Sequence, residues 1–134
     1  MTWYYQDSEF TETPEEYFGF VYLITNLENG KKYVGKKWFH TVRRVKQKGK
    51  TRRKVVTKDS DWREYYGSNK LLLEDIHEHG HKAKREILRL CVGKGDCNYW
   101  EGYEQFQRGV LFDESYYNDW IMLKVHKGHL TTER

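Results

Sequence analysis

Asn29-Gly30 sits between two runs rich in β-branched and aromatic residues, Phe18 to Thr25 and Lys32 to Phe39. Asn-Gly is the strongest short-range hairpin signal, because both residues tolerate the positive φ of a type I′ turn. The pair therefore commits this part of the chain to an antiparallel ribbon. A two-residue loop would place Tyr22 opposite Lys37 and Asn26 opposite Tyr33. Alternation then puts Tyr22, Ile24, Asn26, Tyr33, Gly35 and Lys37 on one face. Two phenols and an ammonium gathered there mark a candidate site, and a three-residue loop would break the grouping.

The charge is segregated along the chain. Residues 1 to 30 carry six acids and no Lys or Arg, whereas residues 31 to 58 carry thirteen Lys or Arg and no acid. A block of like charge repels itself unless a polyanion neutralises it, and phosphate backbones are the common partner. Lys36, Arg44, Lys46, Lys48, Lys50, Arg52 and Lys54 are the candidate nucleic-acid contacts. The chain has 134 residues, enough for one domain. It has no long apolar run, so a membrane span is not expected. Cys91 and Cys97 form no C-x-x-C pair, which argues against a zinc knuckle or a disulfide framework.

The expected organisation is an acidic aromatic leader over 1–17, a domain over 18–125 with a basic insert at 40–58, and a tail over 126–134. The insert reads as a second ribbon or a long surface loop, and Asp61 to Tyr66 as a short helix. Ser68 is a candidate N-cap for a helix over 69–79 that stops at Gly80. Lys84 to Val92 alternates as a third strand, and Asp96 opens a helix to about Gly109. This order predicts an α+β fold, a small central sheet of about three strands flanked by helices. The cluster His77, His79 and His81 invites a zinc reading, but i and i+2 positions do not share a helical face.

Phe20-Val21-Tyr22 and Tyr33-Val34-Gly35, ten residues apart, resemble the two motifs of the GIY-YIG nuclease family, with Phe at the first motif's glycine. The resemblance extends to a helix-strand unit ending in a Gly turn (Gly80), to Glu104-Gln105-Phe106 and to Tyr117-Asn118, covering about residues 18 to 120. Small freestanding phage-type members are similar in their Lys-Lys after the glycine and their Asp-Trp…Tyr-Gly-Ser segment.

The resemblance implies a metal-dependent endonuclease that hydrolyses DNA phosphodiester bonds to 5′ phosphate and 3′ hydroxyl ends. Tyr22 would be the general base, with its pKa lowered by Lys37 or the metal. Tyr33 would orient the water, and Glu104 would hold one Mg²⁺ or Mn²⁺, with Glu101 as the weaker candidate. The arginine that grips the phosphate is Arg43 by spacing, then Arg53 or Arg63. Asn118 would position Glu104 or the phosphate. A cytoplasmic location follows, that of the host if the chain is phage-encoded, and a homodimer is compatible. The alternative is a non-cleaving nucleic-acid-binding module of the same fold. In a third reading, the acidic leader folds back over the basic arm.

Overall fold

The computed structural model describes residues 2–124; the tail expected at 126–134 lies outside them. The central sheet is mixed and five-stranded, in the order β2-β1-β7-β3-β4. Its strands are β1 (Trp3–Tyr5), β2 (Ser8–Phe10), β3 (Gly19–Asn26), β4 (Lys32–Trp38) and β7 (Ala83–Cys91). A separate two-stranded ribbon joins β5 (His40–Val45) to β6 (Lys54–Asp59), and the helices are α1 (Lys70–His77) and α2 (Lys94–Gln107). The α+β class, the basic ribbon and the third strand agree with the sequence reading, and the sheet is larger than expected.

The two additional strands come from the segment read as a loose leader. Gln6 and Asp7 both take positive φ, the mirror-image turn favoured in hairpins, and fold β2 back on β1. β1 then pairs in parallel with β7, far along the chain. Trp3 is 1% exposed, its indole N–H donates to the Trp62 carbonyl at 2.8 Å, and its ring lies edge-on to Phe20 and Tyr22. Residues 3–10 are therefore held in the sheet and not folded over the basic arm, while Thr13 donates to Asp59 at the base of the ribbon at 2.9 Å.

β3 is the spine, flanked by β7 and β4 and buried along nearly its whole length. Alternation sends Phe20, Tyr22 and Ile24 into one core with Trp3, Phe39, Trp62 and Leu72. Val21 and Leu23 enter the other with Val34, Cys91, Cys97 and Val110, next to α2. Both cysteines are fully buried thiols.

The hairpin register differs from the two-residue expectation. Tyr22 pairs with Gly35, and Ile24 with Tyr33. The turn is longer because Asn26 closes it: the Asn26 N–H donates to the Lys31 carbonyl, and its side-chain oxygen accepts from the Glu28 N–H at 2.8 Å. The slip is two residues, an even number, so the face shared by Tyr22, Tyr33 and Gly35 survives. Helix boundaries shift slightly: Asn69 rather than Ser68 caps α1, accepting from the Leu72 N–H. α2 starts at Lys94, and the Asp96 carboxylate caps the Val92 N–H instead. The short helix expected at Asp61 to Tyr66 is a 3₁₀ turn over Trp62–Glu64.

Trp3→Ala should cost about 3–5 kcal/mol in urea unfolding, the range for removing a large buried aromatic. A loose leader would give a change near zero.

Candidate active site

The register just described determines what happens at Gly35. β4 is the edge of the sheet, and Gly35 lies directly across from Tyr22. A Cβ at Gly35 would overlap the Tyr22 hydroxyl and lie 2.6 Å from its ring carbon Cζ. The missing side chain is therefore the space in which the phenol sits. β7 contributes a bulge at the same level, between the pairs Val21–Arg89 and Tyr22–Ile87, a device that re-aims side chains near sites.

Around this notch a cleft of about 300 Å³ is lined by Tyr22, Tyr33, Lys36, Lys37, Ser68 and Glu101. Tyr22 comes from the face of the first core and Glu101 from α2 on the other, and they meet because the edge strand ends the sheet between them. Lys36 donates to a Glu101 carboxylate oxygen at 2.9 Å, and the Tyr33 and Ser68 hydroxyls are 3.2 Å apart. Burial lifts Glu101 above the usual carboxylate range, with Lys36 pulling the other way. Burial also raises Tyr33, and raises Tyr22 well above the normal phenol value, helped by the neighbouring Tyr65 and Tyr33 phenols and by a hydrogen bond to Tyr65.

Three expectations change here. Lys37 does not lower the Tyr22 pKa: its ammonium pairs with Asp61 at 2.6 Å and lies 4.2 Å over the Tyr65 ring. Glu104 is not in the cleft, for its two carboxylate oxygens take Arg89 at 3.0 Å and Arg108 at 3.1 Å. The i,i+4 spacing of Glu104 and Arg108 was the available signal, since such pairs engage each other along a helix. Glu101, the weaker candidate in the sequence, is the α2 carboxylate that faces Tyr22's neighbours. Asn118 is also committed elsewhere: its carbonyl accepts from the Val34 N–H at 3.0 Å and its amide donates to the Val34 carbonyl at 2.9 Å. It serves the edge strand as an extra peptide would, one residue from Gly35, and Gln105 adds a bond to the same carbonyl.

No arginine lines this cleft among the described residues. Arg43 stands in β5 opposite Val56, and its side chain lies outside what is described, as does that of Lys54. Arg53 is exposed in the ribbon loop, and Arg63 bonds Asp59 and the Thr11 carbonyl. Arg44, Lys46, Lys48, Lys50 and Arg52 are exposed along the ribbon, whereas Lys36 belongs to the cleft. The ribbon is rooted by fully buried Phe39 and by the Ser60 hydroxyl, which donates to the Trp38 carbonyl at 2.7 Å.

Sequence reading missed Arg85 altogether. It is 1% exposed, donates to the Arg63 and Tyr65 carbonyls at 2.9 and 2.8 Å, and stacks between Trp3 and Tyr66. It thereby fixes the backbone that presents Tyr65, Gly67 and Ser68 to the cleft. The histidines form no metal cluster: His79 contacts Asp75 and His81 contacts Asn26. No group of three or more His, Cys, Asp or Glu suited to a metal occurs among the described residues.

A single-carboxylate site still suits a hydrated divalent ion, because Mg²⁺ takes one or two carboxylates and completes its shell with water and substrate phosphate. Glu101 fits that role, lining the cleft with a single lysine as its partner. Glu104, held by two guanidiniums, does not.

Residues 3–121, nearly the whole chain, match the family model described as "Putative endonuclease segE, GIY-YIG domain". No curated protein and no solved structure matches.

Gly35→Ala should destabilise the protein by about 1–3 kcal/mol through overpacking against Tyr22. In a Tyr22→Leu background the same change should cost less than half as much, a coupling that urea unfolding of the four proteins measures. A second expectation concerns Tyr117, whose hydroxyl donates to Asp75 at 2.6 Å and holds that carboxyl below its ordinary value of 3.8. A depressed carboxyl adds stability that is present above about pH 3.8 and is lost as pH falls through the lowered value. The advantage of wild type over Tyr117→Phe should therefore be steady near neutrality and shrink in acid.

Proposed function

The chain belongs to the GIY-YIG endonuclease family, and from that premise we propose that it is a divalent-metal-dependent DNA endonuclease whose chemistry runs in the notch at Gly35. The observation that carries this reading is the convergence of Tyr22, Tyr33, Lys36 and Glu101, from two strands and a helix, on one cleft. No helix among the described residues is long and apolar enough to cross a membrane.

Hydrolysis requires a group that takes the water's proton, a cation for the phosphate, and relief for the departing 3′ oxygen. With its pKa raised, Tyr22 is a neutral phenol in the free protein at neutral pH. It accepts the water's proton as its own phenol proton passes out through the open cleft it lines. Tyr33, steadied by Ser68, orients the water. Lys36 leaves Glu101 for the scissile phosphate when DNA arrives. Glu101 would hold one Mg²⁺ or Mn²⁺, which when bound supplies positive charge to the phosphate and the leaving oxygen. Asn118 acts as a positioning residue through the Val34 backbone.

Arg43 remains the first choice for a guanidinium that comes with the bound DNA, and Arg53 the second. The ribbon's Arg44, Lys46, Lys48, Lys50 and Arg52 would bind backbone phosphates, contacts that position DNA without reading its sequence. A non-cleaving module of the same fold is the second reading, favoured by the elevated Tyr22 pKa.

Conversion of supercoiled plasmid to nicked and linear forms separates the two. Wild type should cut with Mg²⁺ or Mn²⁺ and stop in EDTA. Tyr22→Phe and Glu101→Gln should each lose at least about 100-fold in rate, while Glu104→Gln stays within a few-fold of wild type. Retarded but uncut plasmid in every lane would favour the binding module. Cutting by Glu101→Gln but not by Glu104→Gln would return the metal to Glu104.

A further inference from the structure

The catalytic cleft does not end at Glu101. It opens into a second hollow of about 560 Å³ that shares Tyr33, Lys36, Ser68 and Glu101 and runs on to Trp120 and Met122. That size lies within the roughly 300–1,000 Å³ of small-ligand sites, ample for one nucleoside. Leu71 from α1, 59% exposed, and Trp120 and Met122, 63% and 70% exposed, supply its apolar surface. Lys70 and Lys124 add positive charge, and Asn98 and Asp119 add polar groups.

How the chain presents Trp120 is informative. Residues 118–124 form no helix or strand, yet the segment is tethered at three points. Asn118 is bonded to Val34, Ile121 packs against the second core, and Leu123 lies over Gly102, where any Cβ would meet it at 3.0 Å. Trp120, Met122 and Lys124 line the hollow, together with Asn118 and Asp119. A tethered segment that leaves an indole and a thioether lining a hollow beside a proposed reaction centre suits an apolar, flat ligand.

We propose that this hollow seats an unstacked base next to the scissile phosphate, with Trp120 as its stacking platform, so that the substrate is DNA whose pairing is locally lost: single-stranded, frayed or flapped. The inference rests on the nuclease reading, since it takes the phosphate to lie at Lys36 and Glu101. Aromatic platforms beside lysines are the composition by which proteins hold single strands, because every base has a face to stack and a phosphate to neutralise. A fully stacked duplex has no base to offer a concave pocket, and one acted on there must first be opened.

The test is binding in EDTA, where nothing is cut. Fluorescence anisotropy compares a labelled single-stranded oligonucleotide with a hairpin duplex of the same sequence, and 2-aminopurine within the strand reports stacking. Wild type should hold the single strand at least about fivefold tighter than the duplex and quench 2-aminopurine. Trp120→Ala should lose about fivefold or more in single-strand affinity, and Trp120→Phe should keep most of it. Phe112→Ala removes an aromatic that is 97% exposed and lies outside the hollow, and should bind as wild type does. Equal single-strand affinity for wild type and Trp120→Ala, or unquenched 2-aminopurine, would overturn the proposal. A protein that cuts plasmid yet ignores Trp120→Ala loses this inference alone. One that cuts nothing but depends on Trp120 for the strand keeps the base-stacking hollow and loses the nuclease, and with it the scissile phosphate.

Discussion

The contact between the Tyr22 phenol and the bare backbone of Gly35 is the constraint around which the rest of the structure is arranged. For the ring to lie there, β3 and β4 must pair in one register, since moving the glycine along β4 would set a Cβ in the path of the hydroxyl. That register is held at one end by the Asn26 turn and near its middle by Asn118 and Gln105, all of which bond backbone groups of the hairpin. The far wall is set by Arg85, whose buried guanidinium donates to two carbonyls and lies against two aromatic faces. Buried charge is costly without such compensation. What it achieves is a fixed backbone at Tyr65 to Ser68.

The hairpin, the basic ribbon, the third strand and both helices could be read from the sequence, because each rests on local turn chemistry or on periodicity. The turn residue Asn26 was legible only as part of a strand. Its side-chain bond lengthens the loop beyond the Asn-Gly pair, and only the parity of the slip preserved the shared face. β1 and β2 escaped notice for a different reason. They are three residues long, carry Glu9 with Asp7 in the turn between them, and join the sheet through the pairing of β1 with β7, some eighty residues away. No local pattern reports such a partner. The choice between Glu101 and Glu104 lay between the two cases. The pairing of Glu104 with Arg108 was visible at helical spacing, but the placement of Lys36 beside Glu101 required the sheet edge to be known.

The site is expensive in stability. Glu101, Tyr22 and Tyr33 each have their charged forms disfavoured by burial, so the cleft by itself keeps its phenols protonated and its carboxylate dependent on one lysine. Such an arrangement makes chemical sense if charge is delivered from outside. A cation on Glu101 would cancel one of the charges that raises Tyr22, and would free Lys36 at the moment a phosphate arrives. In the proposed reaction, then, the base is activated by assembly of the complex and not by a permanent neighbour, which is why the pairing of Lys37 with Asp61 is no obstacle.

In the proposed reading, the basic ribbon and the hollow beside Trp120 divide the work of recognition between them. The ribbon's exposed cations act through long-range attraction that any phosphate backbone satisfies, duplex or single-stranded, and that salt screens. They bring DNA to the sheet edge but cannot choose among its forms. Discrimination needs contacts that one form makes and another cannot, and a concave wall of Leu71, Trp120 and Met122 offers itself only to a base released from its stack. A small domain can in this way be selective for DNA structure while remaining nearly indifferent to sequence, because stacking is tolerant of base identity whereas pairing must be broken for it to occur.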